Sequence, residues 1–189
     1  MSKDYFDSYF NEAQKVAATL PMHSQLLAEI GYALCSAIQR GYTVYWMGNG
    51  GSASDAQHLA AELVGRFEIN RAPIASVALT TDSSILTAVG NDFGFDEIFV
   101  RQIEALGRPG DICVGLTTSG KSQNVIIALD KAKSMGITTV ALVGSYLELI
   151  RPVADYVISV PSLKTCHIQE SHITIGQALC GFIETTIYG

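Results

Sequence analysis

Two residues that could exchange protons or bind a metal ion lie close together in the segment SDAQHLAAE. His58 and Glu62 are four positions apart, so a helix would place both side chains on one face. A histidine and a carboxylate in that arrangement can share a divalent metal ion or act as an acid/base pair. The same spacing also suits a solvated surface ion pair, and the pattern alone leaves both interpretations open.

A second set of polar residues lies near the carboxyl end of the chain. Gln169 and Gln177 are eight positions apart, about two helical turns, so they roughly share a face. His167 and Glu170 equally suit a solvated surface, and His172 suits a hydrogen-bonded position in the core. Periodicity alone therefore does not define a metal site in this segment.

A glycine-rich loop, residues 48–52, follows the apolar run TVYWM and precedes the segment that carries His58. Glycines let the backbone turn sharply and bring its amides close to a ligand. The amino terminus of a following helix favours an anion or a polar oxygen. A tight turn without a ligand would use similar residues, so the sequence marks this loop only as a candidate binding site. Its residues are Gly48, Asn49, Gly50, Gly51 and Ser52.

A hydroxyl loop, residues 117–122, follows the apolar run ICVGL. It reads TTSGKS and contains four hydroxyl side chains, those of Thr117, Thr118, Ser119 and Ser122. A solvated turn that caps a helix needs only one of them. Several donors directed at one point are what a phosphomonoester requires, so we expect this loop to bind phosphate.

The same stretch formally matches the nucleotide-binding P-loop, because residues 115–122 read G-x-x-x-x-G-K-S. An ATP or GTP hydrolase is therefore an alternative function. Against it, Gly115 lies inside an apolar run, where the motif should already be a loop. Only Asp82 approximates the required magnesium-binding aspartate, and the glycine-rich loop would have no role.

The pattern of the remaining chain predicts one α/β domain over residues 1–189, with N-terminal helices in 1–40 and an α/β core in 41–189. Apolar runs predict strands over 43–47, 75–79, 112–116, 138–143 and 156–160, and helices over 54–66, 96–106, 122–135 and 168–187. Runs without alternation suit strands buried on both faces. The sequence therefore predicts a three-layer, doubly wound, five-stranded parallel sheet, with ligands beyond the carboxyl ends of its strands.

Composition narrows the class of protein further. A net charge of −6 argues against a nucleic-acid surface, and no apolar run is long enough to span a membrane. The first residues carry no signal peptide, so we expect a cytoplasmic protein with Cys35, Cys113 and Cys180 as buried free thiols. The aromatic stripe of the first helix, Tyr5, Phe6, Tyr9 and Phe10, is expected to pack against another subunit rather than only cover the sheet.

Four segments together resemble one known family, the phosphoheptose isomerases. They are GNGGSASDAQHLAAE at 48–62, GNDFGF at 90–95, TTSGKS at 117–122 and IQESH at 168–172. These proteins contain a sugar isomerase (SIS) domain and convert sedoheptulose 7-phosphate to D-glycero-D-manno-heptose 7-phosphate for lipopolysaccharide or capsule synthesis. The resemblance covers nearly the whole chain, and it implies a homotetramer with active sites between subunits.

The resemblance also implies roles for individual residues. The substrate phosphate would contact Ser119 and Ser122, with Thr117 and Thr118 beside them, and Glu62 would be the catalytic base that acts through an enediol. Zinc would be held by His58, Glu62 and Gln169. The sugar would contact Asn49, Gly50, Gly51, Ser52, Asn91, Asp92 and Gln169.

One departure from the family bears directly on catalysis. The family carries a histidine eight residues after the glutamine of IQE, as a metal ligand and as the acid/base partner of the glutamate, but this chain has Gln177 there. A neutral amide can offer oxygen to a metal, yet it cannot exchange a proton near pH 7. We therefore expect impaired activity and a weakened fourth metal ligand. A smaller departure is the loop SYLELIRP at 145–152, which lacks the glycines often found there.

Three explanations of Gln177 fit the sequence. The protein could be an engineered substrate-trapping variant, or a natural relative with weak or altered activity in which His172 or His167 substitutes. It could also be a non-catalytic sugar-phosphate-binding or replication-associated SIS protein. Retention of Glu62 beside His58 argues against this last explanation, because a scaffold has no need of that pair.

Overall fold

Five parallel strands form the centre of the protein, seen in a computed structural model that describes residues 2–189. The sheet order is β2-β1-β3-β4-β5, and every neighbouring pair is parallel. The chain leaves β1 for β2 on one side and then crosses to β3 on the other, which creates a switch point between β1 and β3. The strands are β1 (Val44–Gly48), β2 (Ser76–Ala78), β3 (Ile112–Thr117), β4 (Thr138–Val143) and β5 (Tyr156–Ser159).

Seven α-helices of the described residues cover the sheet and extend from it. One apolar cluster joins one face of the sheet to α2, α3 and α7, and a second joins the other face to α5 and α6. The result is the expected three-layer fold. The helices are α1 (Ser2–Ala17), α2 (Ser24–Gln39), α3 (Gly51–Val64), α4 (Ser83–Asp92), α5 (Val100–Leu106), α6 (Gln123–Ser134) and α7 (Thr165–Tyr188), with 3-10 helices at Leu20–His23 and Phe95–Glu97.

The five predicted strands are confirmed to within two residues at each end. The predictions were wrong in two helical regions. The helix expected over 96–106 begins only at Val100, after the short 3-10 helix, and α4 was not predicted at all. Helix α4 buries none of its residues completely, but it carries a short apolar stripe from which Leu86 and Val89 pack against the second apolar cluster.

The first helix is only partly covered within one chain. Tyr5, Phe6 and Phe10 are exposed, whereas the Tyr9 ring lies 4.7 Å from the His167 ring of α7. Packing of this stripe against a second subunit stays a prediction. Cys35, Cys113 and Cys180 are buried free thiols, as expected. Over residues 2–189, every helix is too short or too polar to cross a lipid bilayer.

Candidate active site

The glycine-rich loop leaves the carboxyl end of β1 and opens α3. Gly50 has a φ of 57°, in the left-handed region that glycine adopts without strain. A Cβ built on Gly51 would overlap the side-chain amide of Gln169. The two glycines therefore allow the sharp turn and the close approach of α7, which places Gln169 at the start of α3.

An amide pair joins the glycine-rich loop to α6. Asn49 Nδ2 donates to Asn124 Oδ1 at 2.8 Å, and Asn124 Nδ2 donates back to Asn49 Oδ1 at 2.9 Å. Asn124 is buried, and its Oδ1 also accepts from the backbone amide of Val125 at 2.9 Å. Gly48 pairs with Leu116 across β1 and β3, so the two candidate loops lie side by side at one edge of the sheet.

The side chains of the hydroxyl loop converge on one another. Thr117 Oγ1 lies 3.0 Å from Ser122 Oγ and 3.5 Å from Ser119 Oγ. Ser122 is the residue that precedes α6, yet its hydroxyl makes no capping bond to the helix. Three hydroxyls thus cluster at the amino terminus of α6, where backbone amides and the helix dipole favour an anion. Thr118 lies in the same loop and is half-buried.

His58 and Glu62 lie on an accessible face of α3. The Nε2 atom of His58 is 2.9 Å from Oε1 of Glu62, and the two side chains are 48% and 20% exposed. The predicted shared face is therefore confirmed. An imidazole and a carboxylate at this distance can hold a proton between them or offer adjacent ligands to one cation.

Helices α3 and α7 run side by side in the same direction. Gln169 packs on Gly51 near their amino ends, and a Cβ on Gly176 would lie 3.0 Å from Cγ of Leu59, about two turns further along. Gln177 follows Gly176 and so lies at the level of His58 and Glu62. Gln169 lies about 12 Å further back along α7, since the rise is 1.5 Å per residue.

Two of the four expected metal ligands, His58 and Glu62, are adjacent on α3, and assembly of all four around one ion stays a prediction. Between residues 2 and 189, no group of three or more His, Cys, Asp or Glu side chains is placed to hold a metal ion. The nearest side-chain atoms of His58 and Glu62 are 2.9 Å apart. An imidazole nitrogen and a carboxylate oxygen are suitable zinc ligands, so this pair fits a zinc ion while the amides of Gln169 and Gln177 would have to complete the site.

Asn91 and Asp92 are exposed at the carboxyl end of α4. Asn91 Nδ2 donates to Asp92 Oδ1 at 2.7 Å. Neither residue lines the small cavity beside the glycine-rich loop, which is formed by residues including Asn49, Thr80 and Phe95. Contact of these two residues with the sugar stays a prediction.

A larger cavity lies between the amino ends of α3 and α7. Asp55, Cys166, Gln169, Glu170 and Ile173 line it. Asp55 is buried, its Oδ2 atom has no hydrogen-bond partner, and burial raises the pKa of its carboxyl group. This unpaired carboxyl group, one helical turn before His58, is a feature to which the sequence reading gave no role.

The start of α7 is fixed by contacts from α1. Tyr9 donates to Glu170 Oε1 at 2.5 Å, and His167 Nδ1 lies 2.9 Å from Glu170 Oε2. Burial would raise the pKa of Glu170, but the contacts with Tyr9 and His167 outweigh it and lower the pKa. His167 is thus part of a structural contact between α1 and α7. It does not substitute near Gln177 for the histidine that the family carries there.

Comparison with known proteins agrees with this geometry. The family model described as SIS domain matches residues 8–144. A phosphoheptose isomerase of Aquifex aeolicus (strain VF5) is 48% identical over 179 residues, which cover 94% of each chain. Solved phosphoheptose isomerases from Neisseria gonorrhoeae and Francisella tularensis superpose with TM-scores of 0.90 and 0.92 at 36% and 34% identity. Each alignment covers 98% of this chain, with 100% and 99% of those chains.

The chain belongs to the phosphoheptose isomerase family. It is therefore a member of a family of sugar-phosphate isomerases with the SIS fold, and the resemblance that the four segments indicated is confirmed.

Membership of the phosphoheptose isomerase family is inconsistent with the P-loop interpretation, and the structure gives the physical reason. Gly115 lies within strand β3, where a Cβ would come within 2.8 Å of Val125 and 3.1 Å of Leu129. It is a packing glycine against α6 rather than the first residue of a phosphate loop. Asp82 caps α4 by accepting from the amide of Ile85 at 2.9 Å, so it has a structural role instead of a magnesium-binding one.

Asn124 is the residue near the site that sequence reasoning missed. It lies in the first turn of α6, two positions after the hydroxyl loop, but nothing in its spacing distinguishes it from a solvated asparagine. Its partner Asn49 is 75 positions away in the chain. Only the pairing of β1 with β3 brings the two amides together.

Proposed function

We propose that the protein is a ketose–aldose isomerase that converts sedoheptulose 7-phosphate to D-glycero-D-manno-heptose 7-phosphate. The product would supply heptose for lipopolysaccharide or capsule synthesis. Two observations carry the proposal: the hydroxyl loop and the glycine-rich loop lie side by side at one edge of the sheet, and the His58–Glu62 pair lies on α3, the helix that the glycine-rich loop opens. The family to which the chain belongs supports the choice of sugar.

The hydroxyl loop would bind the phosphate. Ser119, Ser122 and Thr117 would donate from their hydroxyls, with Thr118 beside them, and the amino terminus of α6 would favour the negative charge. The glycine-rich loop, joined to α6 through Asn49 and Asn124, would contact the sugar through Asn49, Gly50, Gly51 and Ser52. Asn91, Asp92 and Gln169 are further proposed sugar contacts.

Glu62 would act as the base of the isomerisation. It would take the proton from C1 of the ketose to give an enediol, and a proton would then be delivered to C2 to give the aldose. Glu62 suits this role because it is partly exposed and lies next to His58 at 2.9 Å. The imidazole can orient the carboxylate through that contact.

Zinc is the proposed cofactor. His58 and Glu62 would hold it, with Gln169 and, more weakly, Gln177 as further ligands. When bound, a zinc ion would polarise the substrate carbonyl and stabilise negative charge on the enediol oxygens. Because Gln169 and Gln177 are about 12 Å apart along α7, a second subunit is a plausible source of one of these amides.

We further propose a cytoplasmic homotetramer with sites shared between subunits. The exposed aromatic residues of α1, Tyr5, Phe6 and Phe10, support an interface at that helix. Size measurement by light scattering tests the assembly directly. A monomer would contradict both the tetramer and the shared site.

Gln177 would reduce activity because it cannot transfer a proton. Loss of a general acid/base typically lowers a rate by about 100- to 10,000-fold. The position of Gln177 beside Gly176, at the level of Glu62, supports the assignment of the lost histidine to this point of α7. The alternative function is a non-catalytic sugar-phosphate-binding or replication-associated SIS protein, for which the substitution itself is the supporting observation.

The test compares the unchanged protein with Gln177→His. Both are assayed on sedoheptulose 7-phosphate with added zinc, and Gln14→His serves as a control on the exposed surface of α1. A rise of about 100-fold or more for Gln177→His alone is the expected result. If neither protein turns over and both bind the sugar phosphate, the non-catalytic alternative is correct.

A further inference from the structure

The loop after β4 lies directly on the hydroxyl loop. Gly120 has a φ of 66°, and a Cβ there would overlap the carbonyl oxygen of Tyr146. In the opposite direction, a Cβ on Gly144 would overlap the carbonyl oxygen of Thr118. The 144–149 segment therefore holds a fixed position against the residues that we propose as the phosphate site.

One cation, the ammonium group of Lys121, lies at this contact. The ammonium group of Lys121 is 4.4 Å from the centre of the Tyr146 ring, within the range of a cation–π interaction. Three other lysines, Lys131, Lys133 and Lys164, each form an ion pair with a carboxylate. Within residues 2–189, no carboxylate lies within ion-pair distance of Lys121.

The aromatic ring is itself held in place. Tyr146 donates from its hydroxyl to Glu148 Oε2 at 3.0 Å, and this hydrogen bond raises the pKa of the phenol. The ring therefore stays neutral, and its face can attract the ammonium group. The backbone of Lys121 is held as well. Its amide donates to Ser119 Oγ at 3.1 Å, which ties Lys121 to one of the proposed phosphate-binding hydroxyls.

We propose that Lys121 is an additional phosphate-binding residue, and that Tyr146 positions its ammonium group beside the hydroxyl loop. The inference rests on the proposed function of that loop. Hydroxyls and helix amides carry no net charge, whereas a phosphomonoester carries close to two negative charges near pH 7. Because the chain has a net charge of −6, a local cation is needed to favour the capture of such an anion.

A purely structural role is the competing explanation. In that case the contact of Lys121 with Tyr146 would only fasten the 144–149 segment, and removal of either side chain would affect stability alone. Phosphate affinity separates the two explanations. If Lys121 only holds the 144–149 segment in place, removal of its charge should not change the affinity for phosphate.

The experiment measures binding of inorganic phosphate by calorimetry at low and high salt. Lys121→Gln removes the charge at the loop, and Lys131→Gln removes the same charge from a half-buried position on α6, where it pairs with Glu104. We expect Lys121→Gln to weaken phosphate binding by about 10- to 100-fold, in line with loss of a charged hydrogen bond, and to reduce its dependence on salt. Lys131→Gln should leave the affinity within about twofold of the unchanged protein.

Two variants of Tyr146 test the positioning role. Tyr146→Leu removes the ring and should weaken phosphate binding by about two- to fivefold, whereas Tyr146→Phe retains the ring and should stay close to the unchanged protein. Circular dichroism and the thermal midpoint establish that each variant is folded.

Three results would overturn the inference. Equal phosphate affinity in Lys121→Gln and the unchanged protein would leave only the structural explanation. Equal loss in Lys121→Gln and Lys131→Gln would assign the effect to overall charge. Absence of phosphate binding by the unchanged protein would contradict the proposed function as well, so the two failures are distinguishable.

Discussion

Asn49 and Asn124 exchange two side-chain hydrogen bonds, of 2.8 and 2.9 Å, and so join the glycine-rich loop to the first turn of α6. The two candidate ligand-binding loops leave neighbouring strands, but their backbones alone do not fix the relative position of their side chains. The amide pair supplies that connection. It couples the proposed sugar contacts to the proposed phosphate contacts.

We predict that Asn124→Ala loosens the glycine-rich loop. The change leaves the amide of Asn49 without its partner and should lower the free energy of unfolding by about 1–3 kcal/mol. It should also raise the KM for the sugar phosphate more than it lowers kcat. Denaturant unfolding and steady-state kinetics measure the two effects, and Gln123→Ala, at an exposed neighbour, is the matched control.

Glu62→Gln should abolish most of the activity while leaving the fold intact. The amide keeps the shape of the side chain but cannot accept the C1 proton, so kcat should fall by about 100- to 10,000-fold. The substitution is best made in the Gln177→His variant, because the higher rate expected of that variant allows a large decrease in kcat to be measured. Glu29→Gln, at an exposed position on α2, controls for the loss of charge. Retained activity in Glu62→Gln would require a different base.

Glu184→Gln should destabilise the protein. Glu184 is buried on α7, where it accepts from the backbone amides of Phe67, Glu68 and Ile69 and from Arg71 Nε at 2.9 Å. An amide would direct an N–H toward these donors and leave the buried Arg71 charge unpaired. We expect a loss of about 3–5 kcal/mol, measured by denaturant unfolding.

The same carboxylate should make stability depend on acid. Burial alone would raise the pKa of Glu184, but the three backbone hydrogen bonds and Arg71 outweigh it and lower the pKa from 4.5 to about 2. The unfolded state therefore binds more protons than the folded state between these values. The stabilisation is complete above pH 4.5 and is lost as the pH falls toward 2. Glu184→Gln should lose this part of the pH dependence.

His172 should add a second pH dependence at higher pH. Its ring is fully buried, and burial lowers its pKa from 6.5 to about 4, although an interaction with the backbone of Val143 acts in the opposite direction. The unfolded state takes up a proton that the folded state excludes, so stability is complete above pH 6.5 and declines as the pH falls toward 4. Between pH 7 and 4.5, the thermal midpoint of the unchanged protein should fall relative to that of His172→Leu, which lacks the titrating ring. Parallel curves would contradict the assignment.

The sequence determined the strands and both loops because these features are local. Unbroken apolar runs such as that of β4 are buried on both faces of a parallel sheet. Gly50 needs a backbone conformation that other residues rarely adopt. His58 and Glu62 share a face because the helical repeat dictates it. For the same reason the four segments were sufficient to identify the family.

Only the tertiary structure decided which distant side chains meet. Three contacts join residues from different strands, helices or loops. They are the pairing of Asn49 with Asn124, the contact of Gln169 with Gly51 and the position of Lys121 on Tyr146. No local repeat encodes these contacts, because they arise from the order of strands in the sheet and from packing of helices upon it. Helix α4 is a local feature that the sequence analysis missed, because its apolar stripe is short and packs only partly on the core through Leu86 and Val89.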